Sequence, residues 1–369
     1  MENTKKIIAV IGTRPDGIKM CPLIKELKSR GEFKVTVCAT GQHRDLLDDI
    51  LETFEITPDY DLGIMREGQD LFDITTEVML GMRNIFLAEK PDGVLVHGDT
   101  TSAFASALAA FYLKIPVFHV EAGLRTYDIY SPYPEEFNRR AIGVLAQKHF
   151  APTERAESNL LSEGIDRNDI SVTGNTVIDA LRTTVSGEYS RPALRPARGE
   201  RVILLTAHRR ENCGEAMRGI FAAVRRVAEE RDGVKIIYPM HPNPAIRKVA
   251  ENMLGGCGNI CLCEPLGVGD FHKILSACYL VLTDSGGVQE EAAALGKPVL
   301  VLRNTTERAE GIQSGGIRLA GTSSVSVYRG ITRLLDDRAL YYAMSVAKNP
   351  YGDGRASEKI VDILEQFCS

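Results

Sequence analysis

The chain has 369 residues, 44% of them apolar and 25% charged, with a formal net charge of −5. That is the balance of an ordinary soluble globular protein, and it offers no basic stripe for nucleic acid. The longest apolar runs, residues 7–11 and 299–302, are far too short to cross a bilayer, and no secretory apolar region follows the N-terminal lysines. The expectation is a cytoplasmic protein with neither a membrane nor a nucleic-acid partner.

Short β-branched runs alternate with longer helical patterns from end to end, the signature of parallel sheets joined by crossover helices. In chain order the first half predicts strands at 6–11, 34–40, 93–97, 116–120, 148–151 and 169–173. The second half predicts them at 201–207, 234–239, 259–263, 279–283, 298–303 and 317–320. The length exceeds one typical core, so the pattern reads as α/β with two Rossmann-like domains, residues 1–173 and 174–354. A helix over 355–369 is expected to pack back on the first domain. The Pro-, Gly- and Arg-rich stretch 187–200 reads as a surface connection. Eight cysteines read as free core thiols, because Cys257, Cys261 and Cys263 lack the C-x-x-C pair of a zinc site; no metal is expected.

In open α/β sheets ligands bind beyond the carboxyl ends of the strands. Applied here, that rule collects Arg14, Asp99 and Glu121 in the first half and His208, His241 and Ser285 in the second. The most informative segment is Thr283-Asp284-Ser285-Gly286-Gly287-Val288-Gln289-Glu290-Glu291, a strand that breaks at two glycines into a helix. Gly286 and Gly287 let backbone approach a ligand, and the unpaired amides and dipole of the helix start favour an anion. Ser285 adds a hydroxyl, and Glu291 is placed to accept from a ribose diol, so a nucleoside diphosphate carrying a sugar is suggested. The competing reading is an ordinary strand-to-helix turn.

Each further candidate also has a structural alternative. Arg14, in Gly12-Thr13-Arg14-Pro15, is a surface arginine or a phosphate ligand, and its position at a strand end favours phosphate. Asp99 precedes two threonines and alone reads as an N-cap. Glu121 ends an apolar strand, where a carboxylate is costly unless paired or functional. Glu135 and Glu136 follow Ser131-Pro132-Tyr133-Pro134 in a first helical turn, a common place for dipole partners. His208 opens His208-Arg209-Arg210-Glu211-Asn212, a cationic cluster suited to pyrophosphate or to acid/base work. Gly267-Val268-Gly269 has His272 where a third glycine would complete a dinucleotide fingerprint, and no Walker lysine pattern occurs. Bound nicotinamide and ATP-driven phosphoryl transfer are therefore disfavoured.

Taken together, these motifs resemble the non-hydrolysing bacterial UDP-N-acetylglucosamine 2-epimerases. The likeness also runs through Gln42-His43-Arg44, His97-Gly98-Asp99-Thr100-Thr101, His119-Val120-Glu121-Ala122-Gly123, Thr173-Gly174-Asn175-Thr176 and Asn349-Pro350-Tyr351-Gly352. It covers essentially the whole chain in order. The resemblance implies a GT-B-like pair of Rossmann-like domains whose parallel sheets face a central cleft, usually as a homodimer. It implies reversible epimerisation of UDP-N-acetylglucosamine to UDP-N-acetylmannosamine without a metal or redox cofactor. Carried over by motif, Asp99, Glu121, Glu135 and His208 form the acid/base set. Arg14, Lys19, His208, Phe271, Ser285, Gly286, Gly287, Glu291 and Arg308 hold the substrate. Some members also bind a second UDP-N-acetylglucosamine as an activator, and Gln42, Gln69, Arg209 and His241 match that site.

The chain departs from the family pattern at Asn304, Ala309 and Gly267 on the nucleotide side, and at Asp45 and Gly68 near the activator site. A GT-B glycosyltransferase, a hydrolysing 2-epimerase and a non-catalytic UDP-sugar sensor are the alternatives on the same scaffold.

Overall fold

The computed structural model describes the chain except residues 1–3, 42–43, 67, 187, 190, 192–193, 195, 198, 210–211, 213, 307 and 369, and the side chains of 44–46 and 368. The chain divides into two compact units, Met1–Thr183 with Tyr351–Ser369, and Thr184–Pro350.

The first unit carries β1 (Lys5–Ile11), β2 (Phe33–Ala39), β3 (Tyr60–Asp61), β4 (Gly93–His97), β5 (Val117–Val120), β6 (Lys148–Ala151) and β7 (Ile170–Val172). They form one parallel sheet in the order β3-β2-β1-β4-β5-β6-β7. Helices cover both faces of such a sheet, so its central strands read as continuous apolar runs; Ile7, Ile8, Ala9, Val10 and Ile11 are all buried. The strand β3 was not foreseen. It is two residues long, too short to carry a periodic signal, and it exists because Cys38 and Ala39 offer it a register to pair with.

The second unit carries β8 (Arg201–Thr206), β9 (Val234–Pro239), β10 (Ile260–Cys263), β11 (Leu280–Thr283), β12 (Val299–Val301) and β13 (Ile317–Leu319), ordered β10-β9-β8-β11-β12-β13 and again parallel. The Glu215–Glu230 helix shows how its core forms. Met217, Ile220, Phe221, Val224 and Val227 recur at helical spacing and are all buried against a cluster that includes Ile203, Leu205 and Tyr238. Tyr238 satisfies its buried hydroxyl by donating to the Ala207 carbonyl at 2.8 Å.

The C-terminal Ala356–Cys368 helix lies on the first unit. Asp179 accepts from the Ala356 and Ser357 amides, Arg30 pairs with Asp362 and Glu365, and the Phe367 ring meets Phe118 edge-on at 5.3 Å. Part of the expected surface connection is packed instead. Leu194 is buried, and the Arg191 amide donates to Asp270. Among the described residues no helix is long and apolar enough to cross a membrane.

Candidate functional site

In both sheets the strand order reverses direction once, between β1 and β4 in the first unit and between β8 and β11 in the second. That switch point is where doubly wound sheets bind ligands. Arg14 and Asp99 follow β1 and β4, and His208 and Ser285 follow β8 and β11. At a switch point the connections after neighbouring strands run to opposite faces of the sheet, the arrangement in which doubly wound sheets form a ligand crevice.

Around the first switch point the carboxylates have different partners. The Arg14–Ser29 helix starts with Pro15 in its first turn, and Asp16 closes a capping box by accepting from the Thr13 amide. Asp99 is not the cap of the next helix: Thr100 takes that place, its hydroxyl accepting from the Ala103 amide. The Asp99 carboxylate is therefore not spent on the cap. It accepts from Arg139, while its carbonyl accepts from Asn138. Burial pushes the Asp99 carboxyl up, Arg139 opposes this and the charge of Glu121 adds to it, leaving the group above the ordinary carboxylate range.

Glu121 sits just past β5 with φ 59°, a left-handed conformation that a non-glycine residue adopts at a cost of about 1–3 kcal/mol. Its turn is over-determined. Gly123 follows with φ 89°, and a Cβ there would lie 2.3 Å from the Ala156 carbonyl oxygen. Lys19 and Asn175 both donate to Glu121 Oε2, Asn175 at 2.7 Å. On the other side of the turn, His119 Nε2–H donates to the Gly98 carbonyl at 2.7 Å. Burial pushes the His119 imidazole down to about 3, so this anchor stays neutral.

The two acids of the Glu135–Leu145 helix separate clearly. Glu136 is fully buried and accepts from the Thr126 and Tyr127 amides at 3.0 Å, which fixes the preceding loop. Glu135 is half-buried, and its Oε2 is shielded from solvent without a hydrogen bond. One turn further on, the same helix supplies the Asn138 and Arg139 that hold Asp99.

In the second unit the organising group is Asp284, a fully buried carboxylate at the end of β11. It accepts from the His208 amide (2.9 Å), the Arg209 amide (2.9 Å) and Asn212 Nδ2 (3.0 Å), and it faces His208 Nδ1 at 3.1 Å. Burial pushes its carboxyl up, but the His208 side chain and the two amides outweigh this and hold it below the ordinary range. An ionised Asp284 facing Nδ1 favours the tautomer with the proton on Nδ1, which leaves Nε2 as the unprotonated nitrogen. The His208 ring stacks on His241 at 5.6 Å, and Arg209 Nε donates to the Asp284 carbonyl.

Ser285 begins the Gly286–Ala294 helix without spending its side chain on the cap. Glu291, one turn along, faces His272 Nε2 at 3.4 Å, and His272 Nδ1 pairs with the Thr184 hydroxyl at 2.6 Å. Arg308 Nε donates to buried Glu290 at 2.7 Å, so part of this expected nucleotide ligand is engaged within the protein. Phe271 packs beside His272. Of the four activator-site candidates, Arg209 and His241 gather about Asp284. Gln69 lies in the first unit, where its Oε1 accepts from the Arg66 amide, and Gln42 lies outside the described residues, as do Arg210 and Glu211.

With this geometry in view, the family model for UDP-N-acetylglucosamine 2-epimerase matches residues 25–365. The chain belongs to that family. A UDP-N-acetylglucosamine 2-epimerase of Bacillus subtilis is 52% identical over 359 residues, covering 97% of this chain and 94% of the relative. The crystal structure of the Neisseria meningitidis UDP-GlcNAc 2-epimerase bound to UDP-GlcNAc superposes with a TM-score of 0.91 at 46% identity, over 98% of this chain and 100% of that one. A glycosyltransferase from Rickettsia africae, at 13% identity and a TM-score of 0.63, shares only the fold, the GT-B-like α/β class.

Within this 2-epimerase chain, sequence reasoning did not single out Asp284, Asp16, His97, Asn175, Arg139 or His272 as working groups. For Asp284 a signal was present: an acid directly after four strand residues must be bonded or pay for its burial. For Arg139 and Asn175 there was none, since their partners lie 40 and 54 residues away.

Proposed function

We propose that the chain interconverts UDP-N-acetylglucosamine and UDP-N-acetylmannosamine by eliminating UDP to a 2-acetamidoglucal and adding it back. The observation that carries the reading is the pair of Asp99, at the first switch point, and Glu121, past the adjoining strand β5, one carboxyl raised and the other held in a strained turn. The C2 proton of the sugar has no adjacent carbonyl, so a base alone cannot remove it. Loss of UDP from C1 builds oxocarbenium character that acidifies C2–H, and proton transfer then needs groups on both faces of C2. Asp99, Glu121 and Glu135 are assigned that work. In the second unit the amides of Gly286 and Gly287, with Ser285, Glu291, Phe271 and Arg308, are assigned to the nucleotide, and Arg14 and Lys19 to the substrate's charged and polar groups. His208, aimed by Asp284, is assigned to the departing diphosphate.

Proton NMR in deuterated water tests the reading. UDP-N-acetylglucosamine should yield UDP-N-acetylmannosamine carrying deuterium at C2. Release of free N-acetylmannosamine would assign a hydrolysing reaction, and an unchanged spectrum despite UDP binding would reject epimerisation.

Activation by a second UDP-N-acetylglucosamine at Arg209, His241, Gln69 and Gln42 is proposed with it. The His241 ring stacked on His208 supplies a direct route from such a site to the reacting one. The reverse reaction should then be sigmoidal in UDP-N-acetylmannosamine and become hyperbolic when UDP-N-acetylglucosamine is added; hyperbolic curves throughout would remove the activator site.

A homodimer is proposed through the first unit. Its neighbouring helices Leu71–Glu89, Thr101–Tyr112 and Glu135–Leu145 leave Phe72, Leu80, Leu87, Phe111, Tyr112, Phe137 and Val144 exposed, and large apolar side chains gathered on adjacent helices suit a protein interface. A monomer by sedimentation at micromolar concentration would reject it. A cytoplasmic location suits the free buried thiols of Cys21, Cys38 and Cys278, and recovery from an extracytoplasmic fraction would contradict it.

A further inference from the structure

Behind Glu121 lies a chain of buried groups that the reaction above does not use. Asp16 Oδ2 accepts from the Thr13 amide at 3.1 Å and from the Thr100 hydroxyl at 3.3 Å, and its Oδ1 faces His97 Nδ1 at 3.3 Å. A carboxylate already collecting donors acts as an acceptor toward the ring, so His97 carries a proton on Nδ1. The other nitrogen, Nε2, is buried, makes no hydrogen bond, and stands 3.8 Å from Glu121 Oε1. The side chains of Asp16, His97 and Glu121 are all shielded, at 6%, 3% and 8% exposure.

The two oxygens of Glu121 therefore have different surroundings. Oε2 is anchored by Lys19 and Asn175, and Oε1 is the oxygen nearer His97 Nε2, a nitrogen that makes no hydrogen bond of its own. If neither atom carried a proton, two lone pairs would oppose each other in a dry site, which is costly. A proton delivered to Glu121 in the reaction relieves that opposition, which makes Nε2 a ready acceptor for it. The charged and titratable groups around the pair are Asp16 and Lys19 from the Arg14–Ser29 helix, His119 from β5, Asp99 past the Gly98 turn, and Arg139 from the Glu135–Leu145 helix.

We infer that Asp16 and His97 form a relay behind Glu121, in which His97 Nε2 and Glu121 Oε1 share one proton during turnover. The inference rests on the reading of Glu121 as a proton-transfer group. When the C2–H bond breaks, its proton passes to Glu121, and its electron pair becomes the C1–C2 π bond as the C1–O bond breaks and its pair leaves with UDP. The proton on Glu121 then moves to His97 Nε2 and the imidazolium is balanced by Asp16; C2 takes a proton from the acid on its opposite face as UDP adds back at C1, and the proton held on His97 returns through Glu121, to C2 in the reverse reaction or to solvent before the next forward turnover. His97 is thus a positioning residue that acts through Glu121.

The test is His97→Asn, whose amide can still donate to Asp16 but offers no proton acceptor at the Nε2 position. The kcat–pH profile, KM, UDP affinity and Tm of the full-length enzyme are compared with those of Asp16→Asn and Glu121→Gln. The relay predicts that His97→Asn lowers kcat about 10- to 100-fold and displaces a limb of the kcat–pH profile by about one pH unit, with KM and UDP affinity within about two-fold. Asp16→Asn should lower kcat likewise, because the imidazolium loses its counter-charge. A wild-type profile in His97→Asn beside an inactive Glu121→Gln would overturn the relay and leave Glu121 in place. An active Glu121→Gln would overturn the underlying assignment. Parallel loss of Tm, UDP affinity and activity in His97→Asn and Asp16→Asn, or failure of both to fold, would make the pair merely structural and also reject the relay.

Discussion

Asp99→Asn is expected to lower kcat by about 10³-fold while UDP affinity stays within about two-fold, since loss of an acid/base group removes transition-state stabilisation and little ground-state binding. The substitution is nearly isosteric. Its amide oxygen can still accept from Arg139, its backbone carbonyl still accepts from Asn138, and Thr100 rather than Asp99 caps the following helix, so the local structure has no reason to change. What disappears is a proton site whose affinity burial and Glu121 have raised toward working pH. Turnover followed by NMR, with UDP binding by calorimetry, separates the two effects. A variant retaining more than about a tenth of wild-type kcat would take Asp99 out of the acid/base set, because such groups contribute about 10²- to 10⁴-fold.

Asp284→Ala is expected to destabilise the protein by about 3–5 kcal/mol, the range for removing one partner of a buried charged network. The amides of His208 and Arg209 would lose the carboxylate as acceptor, and buried Asn212 would keep only the Leu302 carbonyl. UDP binding should weaken at the same time, because His208 loses its aim and the turn into the Gly286–Ala294 helix loses its brace. The effect depends on pH with a definite sign. The folded carboxyl is held below its ordinary value, so its stabilisation is fully present above the unfolded pKa of about 3.9 and is lost as pH falls through the folded value. Urea midpoints at neutral pH and at about pH 2 should therefore show a smaller gap between wild type and variant in acid, and a gap that does not shrink would assign the loss to packing instead of charge.

Much of the fold was legible because parallel sheets buried on both faces write themselves as apolar runs between helical patterns, as in Ile7 to Ile11 and Leu280 to Leu282. The strand β3 was not, because two residues carry no period and its pairing depends on β2. Among candidate site residues, a position at the carboxyl end of a strand was enough to collect Arg14, Asp99, Glu121, His208 and Ser285, which do stand there. Position alone did not separate Glu135 from Glu136, adjacent acids in one helical turn, of which only the second is bound to the Thr126 and Tyr127 amides. Nor did it show that Asp99 leaves capping to Thr100.

By itself, then, the order of residues determined the alternation of strands and helices. With right-handed crossovers, that alternation brings the polar strand-end residues to one edge of each sheet. The tertiary structure decided which of those groups are braced and which remain available for chemistry. A carboxylate's role depends on what donates to it, and the donors to Glu121, Asp99 and Asp284 come from Asn175, Arg139 and the His208–Asn212 segment, 54, 40 and more than 70 residues away. Local propensity and periodicity do not encode such pairings, which form only when the sheet brings distant strand ends side by side.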